Sequence, residues 1–136
     1  MTEFKYFHSI EVRYGDLDPQ GHVNNAKYLT YMEQTRVAFT KETGMWSGGS
    51  FLELGVIVAE IQITYLAPIR LGNRLKVGLL VSHRGNKSFH MEYTFVDEDT
   101  GQEFATGSSV QVAYDYHKGQ TIPIPENWRE ILENYQ

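Results

Sequence analysis

The segment Arg13-Tyr14-Gly15-Asp16-Leu17-Asp18-Pro19-Gln20-Gly21-His22-Val23-Asn24-Asn25-Ala26-Lys27-Tyr28 gathers two carboxylates, a turn, a histidine and a helix start. A carboxylate can attack an acyl carbon or deprotonate a water. The unsatisfied N–H groups of a helix start can hold the oxyanion that then develops. Acyl transfer is the chemistry these residue types fit.

Each residue also has a purely structural use. Asp-Pro starts turns, so Asp18 reads either as a catalytic carboxylate or as the acceptor of an Asx turn. Asp16 reads as a turn or solvent residue. His22 could orient a substrate or water, or simply satisfy the turn. Asn24 or Asn25 is a good N-cap, and the Asn25 backbone N–H is a ready oxyanion donor. Glu33 lies between Leu29 and Val37 on the following helix. It could face a cleft or pair with Arg36 at i,i+3. Arg84 and Lys87 meet at one hairpin tip, with Arg74 and Lys76 on the strand leading there. They form a solvated basic tip or a phosphate anchor.

Competing chemistries lack their residues. There is no Gly-x-Ser-x-Gly nucleophile elbow, no Gly-x-Gly dinucleotide turn, no phosphate loop and no His-Glu-x-x-His. The five histidines (8, 22, 83, 90 and 117) have no metal-ligand spacing, and no cysteine occurs. Disulfides, thiolate zinc sites and a cysteine nucleophile are thereby excluded. No metal or cofactor is called for.

The elements that must hold these residues follow from periodicity. Residues 4–14 alternate, with Phe4, Tyr6, His8, Ile10, Val12 and Tyr14 on one face, which predicts a strand. After the turn at 18–21 the pattern becomes helical from about 25 to 43. Leu29, Met32, Val37 and Phe39 are its expected apolar contacts and Gly44 its stop. Four more strands are predicted. Ile57, Ala59, Ile61, Ile63 and Tyr65 form the apolar face of the first, and Leu75, Val77, Leu79 and Val81 that of the second. Phe89, Met91, Tyr93 and Phe95 mark the third, and the fourth spans about 103–114. A short helix near 126–134 closes the chain.

A two-residue Gly85-Asn86 turn would pair Val81 with His90, an inward position with an outward one. The hairpin therefore needs a three-residue loop or a bulge. Strands with one apolar face each, covered by a helix, predict an α+β layer. One 19-residue helix covers only part of a five-stranded sheet, so dimerisation is expected.

The 136 residues fit a single domain, 1–136, and 41% hydrophobic residues suffice for a core. A net charge of −5 gives no global attraction for nucleic acid or anionic membrane. The N-terminus has no signal-like apolar run, and no segment approaches the ~20 apolar residues of a membrane helix. A cytoplasmic protein is the expectation.

The segment Gly15–Asn25 with Tyr28 resembles the signature of hotdog-fold acyl-CoA thioesterases of the 4-hydroxybenzoyl-CoA thioesterase-like family. The resemblance runs over roughly 5–130 and includes Ile63-Thr64-Tyr65-Leu66-Ala67-Pro68 and Arg84-Gly85-Asn86-Lys87-Ser88-Phe89. It implies a hotdog fold: one long central helix wrapped by a five-stranded antiparallel sheet. Homodimers joined edge to edge are implied, often assembled into tetramers, with sites at the dimer interface.

The resemblance assigns the catalytic aspartate to Asp18 and the oxyanion amide to Asn25. His22, Tyr28, Glu33, Arg84, Lys87 and Ser88 become the candidates for substrate and coenzyme A contacts. The His-Val-Asn-Asn run resembles acyl-chain members more than aromatic ones and points to an aliphatic substrate. Hydrolysis of an acyl-CoA thioester is the implied activity. The alternatives are an acyl-CoA-binding module without turnover and an acyl-thioester hydratase or dehydratase.

Overall fold

The structure is a computed structural model that describes residues 3–136. Its helix α1, Asn25–Thr43, starts where the side chain of Asn24 accepts the Ala26 N–H at 2.9 Å. Asn24 is thus the N-cap, and Asn25 is the first helical residue. The helix stops at Gly44, whose φ of 87° lets the chain turn off in the left-handed region.

The strands are β1 (Tyr6–Ile10), β2 (Val56–Tyr65), β3 (Leu75–Arg84), β4 (Ser88–Asp97), β5 (Glu103–Asp115) and β6 (Gln120–Thr121). They form one curled antiparallel sheet in the order β1-β3-β4-β5-β2, with β6 paired to the end of β5. A second helix, α2, spans Glu126–Asn134. The expected single long helix over five strands is therefore corrected to two helices and six strands among the described residues. β6 has only two residues, too few to show a period in the sequence. The predicted strand over 4–14 shrinks to Tyr6–Ile10, and Tyr14–Asp16 forms a 3-10 turn instead.

The inner faces of β3 and β4 make the core: Leu75, Val77, Leu79 and Val81 beside Phe89, Met91, Tyr93 and Phe95, all buried. From α1, Tyr28, Tyr31, Met32 and Phe39 pack onto them. Leu29, expected among these contacts, is instead 43% exposed. A side chain at Gly107 would meet the Gln62 carbonyl at 3.0 Å and the Met32 Cε at 3.3 Å, so this glycine allows the close approach of helix to sheet. In α2, Trp128 and Leu132 are buried, and the Trp128 indole donates to the Met45 carbonyl at 3.0 Å.

The ladders carry three register shifts, one of them between Phe95 and Val96 of β4, and the other two set which side chains of β3 and β2 face inward. In the β3–β4 hairpin, Val81 pairs with Met91 and His83 with His90, so Ser82 is the extra residue that the face parity required. In β2, Val58 pairs with Gln111 and Glu60 with Val110, leaving Ala59 unpaired. The uninterrupted apolar face expected from Ile57 to Tyr65 is thereby split. Val56 and Val58 share the face of Ala113 and Gln111 before the bulge, and Ile61 and Ile63 that of Ser109 and Gly107 after it.

Candidate active site

The turn before α1 is stitched to the segment ahead of β3. Leu17 bridges Val23, His22 bridges Arg70, and the Val23 N–H donates to the Ile69 carbonyl at 2.8 Å. Within the turn the Asp18 N–H donates to the His22 carbonyl at 2.8 Å. Asp18 Oδ1 accepts from the backbone N–H groups of Gln20 at 2.9 Å and His22 at 3.2 Å. One carboxylate oxygen thus serves the Asx turn. The other, Oδ2, has no hydrogen-bond donor among the described residues, and the side chain is half-buried. The structural and chemical readings of Asp18 coexist, one on each oxygen. The Asn25 N–H, at the first helical position, has no acceptor among the described residues either.

Asp16 is neither a solvent residue nor free. Its Oδ2 accepts the Tyr31 hydroxyl at 2.6 Å and the Arg13 N–H at 3.1 Å, and Lys27 Nζ stands 3.8 Å from Oδ1. Its backbone carbonyl accepts the Asn24 N–H at 2.8 Å. Burial alone would raise its pKa, but these donors and cations together hold it below the ordinary value of 3.8. Burial and the same contact drive the Tyr31 phenol upward, so it stays a neutral donor.

His22 Nε2 lies 3.4 Å from the Arg70 guanidinium. Arginine only donates, so Nε2 is the acceptor in this contact. Arg70 and Tyr65 are neighbours that local sequence patterns do not reveal. The Tyr65 hydroxyl donates to the Asn25 carbonyl at 3.1 Å, and its ring stands edge-on to Tyr28 at 4.8 Å. Tyr28 itself is 3% exposed and also packs against Phe95, so it supports the helix start from the core side. Burial raises its phenol pKa.

Glu33 is exposed and makes no pair with Arg36. It stands at the rim of a cleft of about 640 Å³ between α1 and the inner sheet face. Val37, Phe51, Val56, Val58, Phe89 and Met91 supply the apolar wall of that cleft. Asp18 is not among its lining residues.

The hairpin tip is less free than its charges imply. Arg84 donates to the Arg129 carbonyl of α2 at 3.1 Å, and Lys87 to the Thr121 hydroxyl at 3.4 Å. Ser88 begins β4 beside the Gly85 turn. Arg84 lies nine residues beyond Leu75, or ~30 Å along the strand at ~3.3 Å per residue, whereas Arg70 and the Asp18 turn adjoin the Leu75 end. One chain therefore brings Asp18, His22 and Asn25 together, and it holds Arg84, Lys87 and Ser88 at the opposite end of the hairpin.

Among the described residues no helix is long and apolar enough to cross a membrane, and no group of three or more His, Cys, Asp or Glu side chains could hold a metal ion.

The chain matches the Thioesterase-like superfamily over residues 12–132. A thioesterase from Thermus thermophilus, solved in complex with coenzyme A and Zn, superposes with a TM-score of 0.85 at 34% identity, covering 99% of this chain and 97% of that one. The long-chain acyl-CoA thioesterase FadM of Escherichia coli is 27% identical over 124 residues, 91% of this chain and 94% of its own. A 1,4-dihydroxy-2-naphthoyl-CoA thioesterase from Synechocystis shares the fold, with a TM-score of 0.84 at 17% identity over 95% of this chain and 96% of its own. The match over nearly the whole chain and the Asp18 turn at the start of α1 agree: the chain belongs to the Thioesterase-like superfamily and is an enzyme that hydrolyses thioesters.

Proposed function

We propose that the protein hydrolyses an acyl-CoA thioester to the free acid and coenzyme A at the Asp18 turn. The observation that carries this is the division of labour on one carboxylate. Oδ1 is held by two backbone N–H groups, while Oδ2 is unengaged, and the Asn25 amide at the start of the helix that follows the turn has no acceptor among the described residues. Asp18 acts either on the carbonyl carbon or on a water. In the first case Oδ2 attacks, the coenzyme A thiolate leaves, and water cleaves the resulting anhydride. In the second, Oδ2 takes a proton from the attacking water. In both, the Asn25 N–H and the α1 dipole stabilise the carbonyl oxygen, at ~3 kcal/mol for a good donor. His22, fixed by Arg70, borders the reacting group.

The functional unit is a homodimer. β2 ends the sheet order, so a ten-residue strand presents an unpaired edge with Val58 exposed. Such an edge is normally covered. The ~30 Å along β3 between the Asp18 end and the basic tip supports the same reading: Arg84, Lys87 and Ser88 meet the coenzyme A of a site other than the one in their own chain. The coenzyme A bound by the Thermus relative supports a coenzyme A thioester as substrate, and the long-chain acyl-CoA named for FadM favours an aliphatic acyl group.

Asp18→Asn tests the centre of the proposal. It should remove nearly all hydrolysis across a panel of acyl-CoAs while circular dichroism and oligomeric state stay unchanged; near-wild-type turnover would refute it. For the tip, Lys87→Glu should raise KM for acyl-CoA more than for the matching acyl-pantetheine. Equal effects would return Lys87 to a solvated surface role.

A further inference from the structure

Arg36 is only 9% exposed, lines the α1 cleft and forms no ion pair with any described carboxylate. Its Nη1 donates to the Tyr93 hydroxyl at 3.3 Å. That hydroxyl is 2.6 Å from Ser109 Oγ, Ser109 donates to the Gln111 side-chain oxygen, and Gln111 donates to the Phe89 carbonyl at 3.1 Å. Every member of this buried relay is neutral, so it orients the guanidinium without compensating its charge. No fully enclosed side-chain nitrogen among the described residues lacks a partner. The Arg36 nitrogens not spent on Tyr93 therefore keep some accessible surface, and the residue lines the cleft. A buried cation is costly unless an anion or several acceptors meet it. Glu33, three residues away at the rim of the same cleft, makes no ion pair with it, so behind the apolar wall of Val37, Phe51, Val58 and Met91 the guanidinium is free to take an anion from whatever fills the cleft.

Helical geometry links this cation to the reacting end. Asn25, Leu29, Glu33 and Arg36 follow one another at spacings of four, four and three, which puts them on one stripe of α1. Leu29 is exposed, so the stripe is open from the oxyanion amide to the cleft rim. Arg36 lies eleven residues beyond Asn25, or ~16 Å along the axis at ~1.5 Å per residue. A long acyl chain spans that distance. A short or single-ring acyl group does not.

We propose that the cleft is the acyl-chain site and that it selects a chain ending in a carboxylate, held by the Arg36 guanidinium. The substrates are then coenzyme A thioesters of long-chain dicarboxylic acids. The inference rests on the hydrolysis proposed above and narrows it to a substrate class. The guanidinium fork suits a carboxylate through two parallel hydrogen bonds, and the apolar wall suits the methylenes before it.

The test compares kcat/KM for dodecanedioyl mono-CoA and dodecanoyl-CoA, which differ only at the far end. The wild-type protein should favour the first by about tenfold or more. Arg36→Met should erase that preference, so that the two long substrates converge on one kcat/KM, and Arg36→Lys should keep part of it. Succinyl-CoA, too short to reach, should gain nothing from its carboxylate. Equal rates for the two long substrates in the wild-type protein would overturn the proposal, even if no Arg36 variant folds. So would an equal loss on both in Arg36→Met. Calorimetric binding of dodecanedioic against dodecanoic acid reads the cleft without turnover. Tighter binding of the diacid supports the cleft assignment even if no thioester is cleaved, a result that would sink only the hydrolysis. Equal binding together with equal rates sinks the carboxylate preference alone.

Discussion

Asp16 and Asp18 stand two residues apart in one turn, yet their surroundings use a carboxylate in opposite ways. Around Asp16, a phenol, a backbone N–H and an ammonium converge from three directions, tying the turn to Tyr31 and Lys27 of α1. Around Asp18, the backbone N–H groups of its own turn occupy one oxygen and leave the other open. A carboxylate whose acceptor sites are consumed by the fold positions a helix. One that is half consumed is aimed, with an oxygen to spare for chemistry. In the proposed mechanism, engagement, rather than residue type or place in the motif, separates scaffold from reagent.

The largest effect that could break this contrast is on rate. Asp18→Asn is expected to lower kcat by ~10²–10⁴-fold. Asp16→Asn should leave kcat within about tenfold of wild type, because it leaves Oδ2 of Asp18 and the Asn25 amide in place. A reversed order, read from steady-state rates on one acyl-CoA, would exchange their roles. Stability should run the other way. Asp16→Ala strands the buried Tyr31 hydroxyl at a cost of ~1–3 kcal/mol, visible as a lower midpoint in denaturant titration. Asp18→Ala, which loses only turn hydrogen bonds, should cost less.

A smaller effect is in pH. Asp16 binds a proton less readily when folded than its ordinary value of 3.8, despite the opposing push of burial, because of the Tyr31, Arg13 and Lys27 contacts. Its contribution to stability is therefore complete above that ordinary value and is lost as pH falls below it through the folded value. The stability gap between wild type and Asp16→Asn should narrow as pH drops from about 5 to about 3. A constant gap would mean that the carboxylate's charge contributes nothing. The smallest effect belongs to Tyr31→Phe, which removes one of the Asp16 donors and leaves the Arg13 N–H and Lys27. A loss of ~1 kcal/mol is expected, with unchanged kcat.

Much of the scaffold is legible in local pattern. Helix α1 is expected over 25–43 because its cap, its stop and its change of period are encoded within a few residues of each other. Face parity alone calls for a three-residue loop or a bulge in this hairpin, and the structure has the bulge, at Ser82. What is not legible depends on distance along the chain. Arg70 meets His22, and Tyr65 meets Asn25, only because the segment before β3 and the end of β2 return to the helix start. Leu29 counts as an apolar helix residue in any period analysis, but the stripe it occupies is the uncovered one. Arg36 looks like a routine i,i+3 partner for Glu33 until the fold turns it inward to Tyr93. Arg84 and Lys87 are visibly basic, while their attachment to α2 and β6 follows from contacts more than thirty residues away.

The unpaired Ala59 has a consequence for how such a cleft can change over time. Because one surplus residue sits between Val58 and Glu60, excising it would remove the local kink and added twist of β2 while Val58 stays opposite Gln111 and Glu60 opposite Val110. The bend of the β2 wall of the cleft is thus set by a surplus residue as much as by side-chain size. A lineage could reshape that wall by inserting or deleting a single codon in an edge strand, leaving the Asp18 turn and the start of α1 where they are.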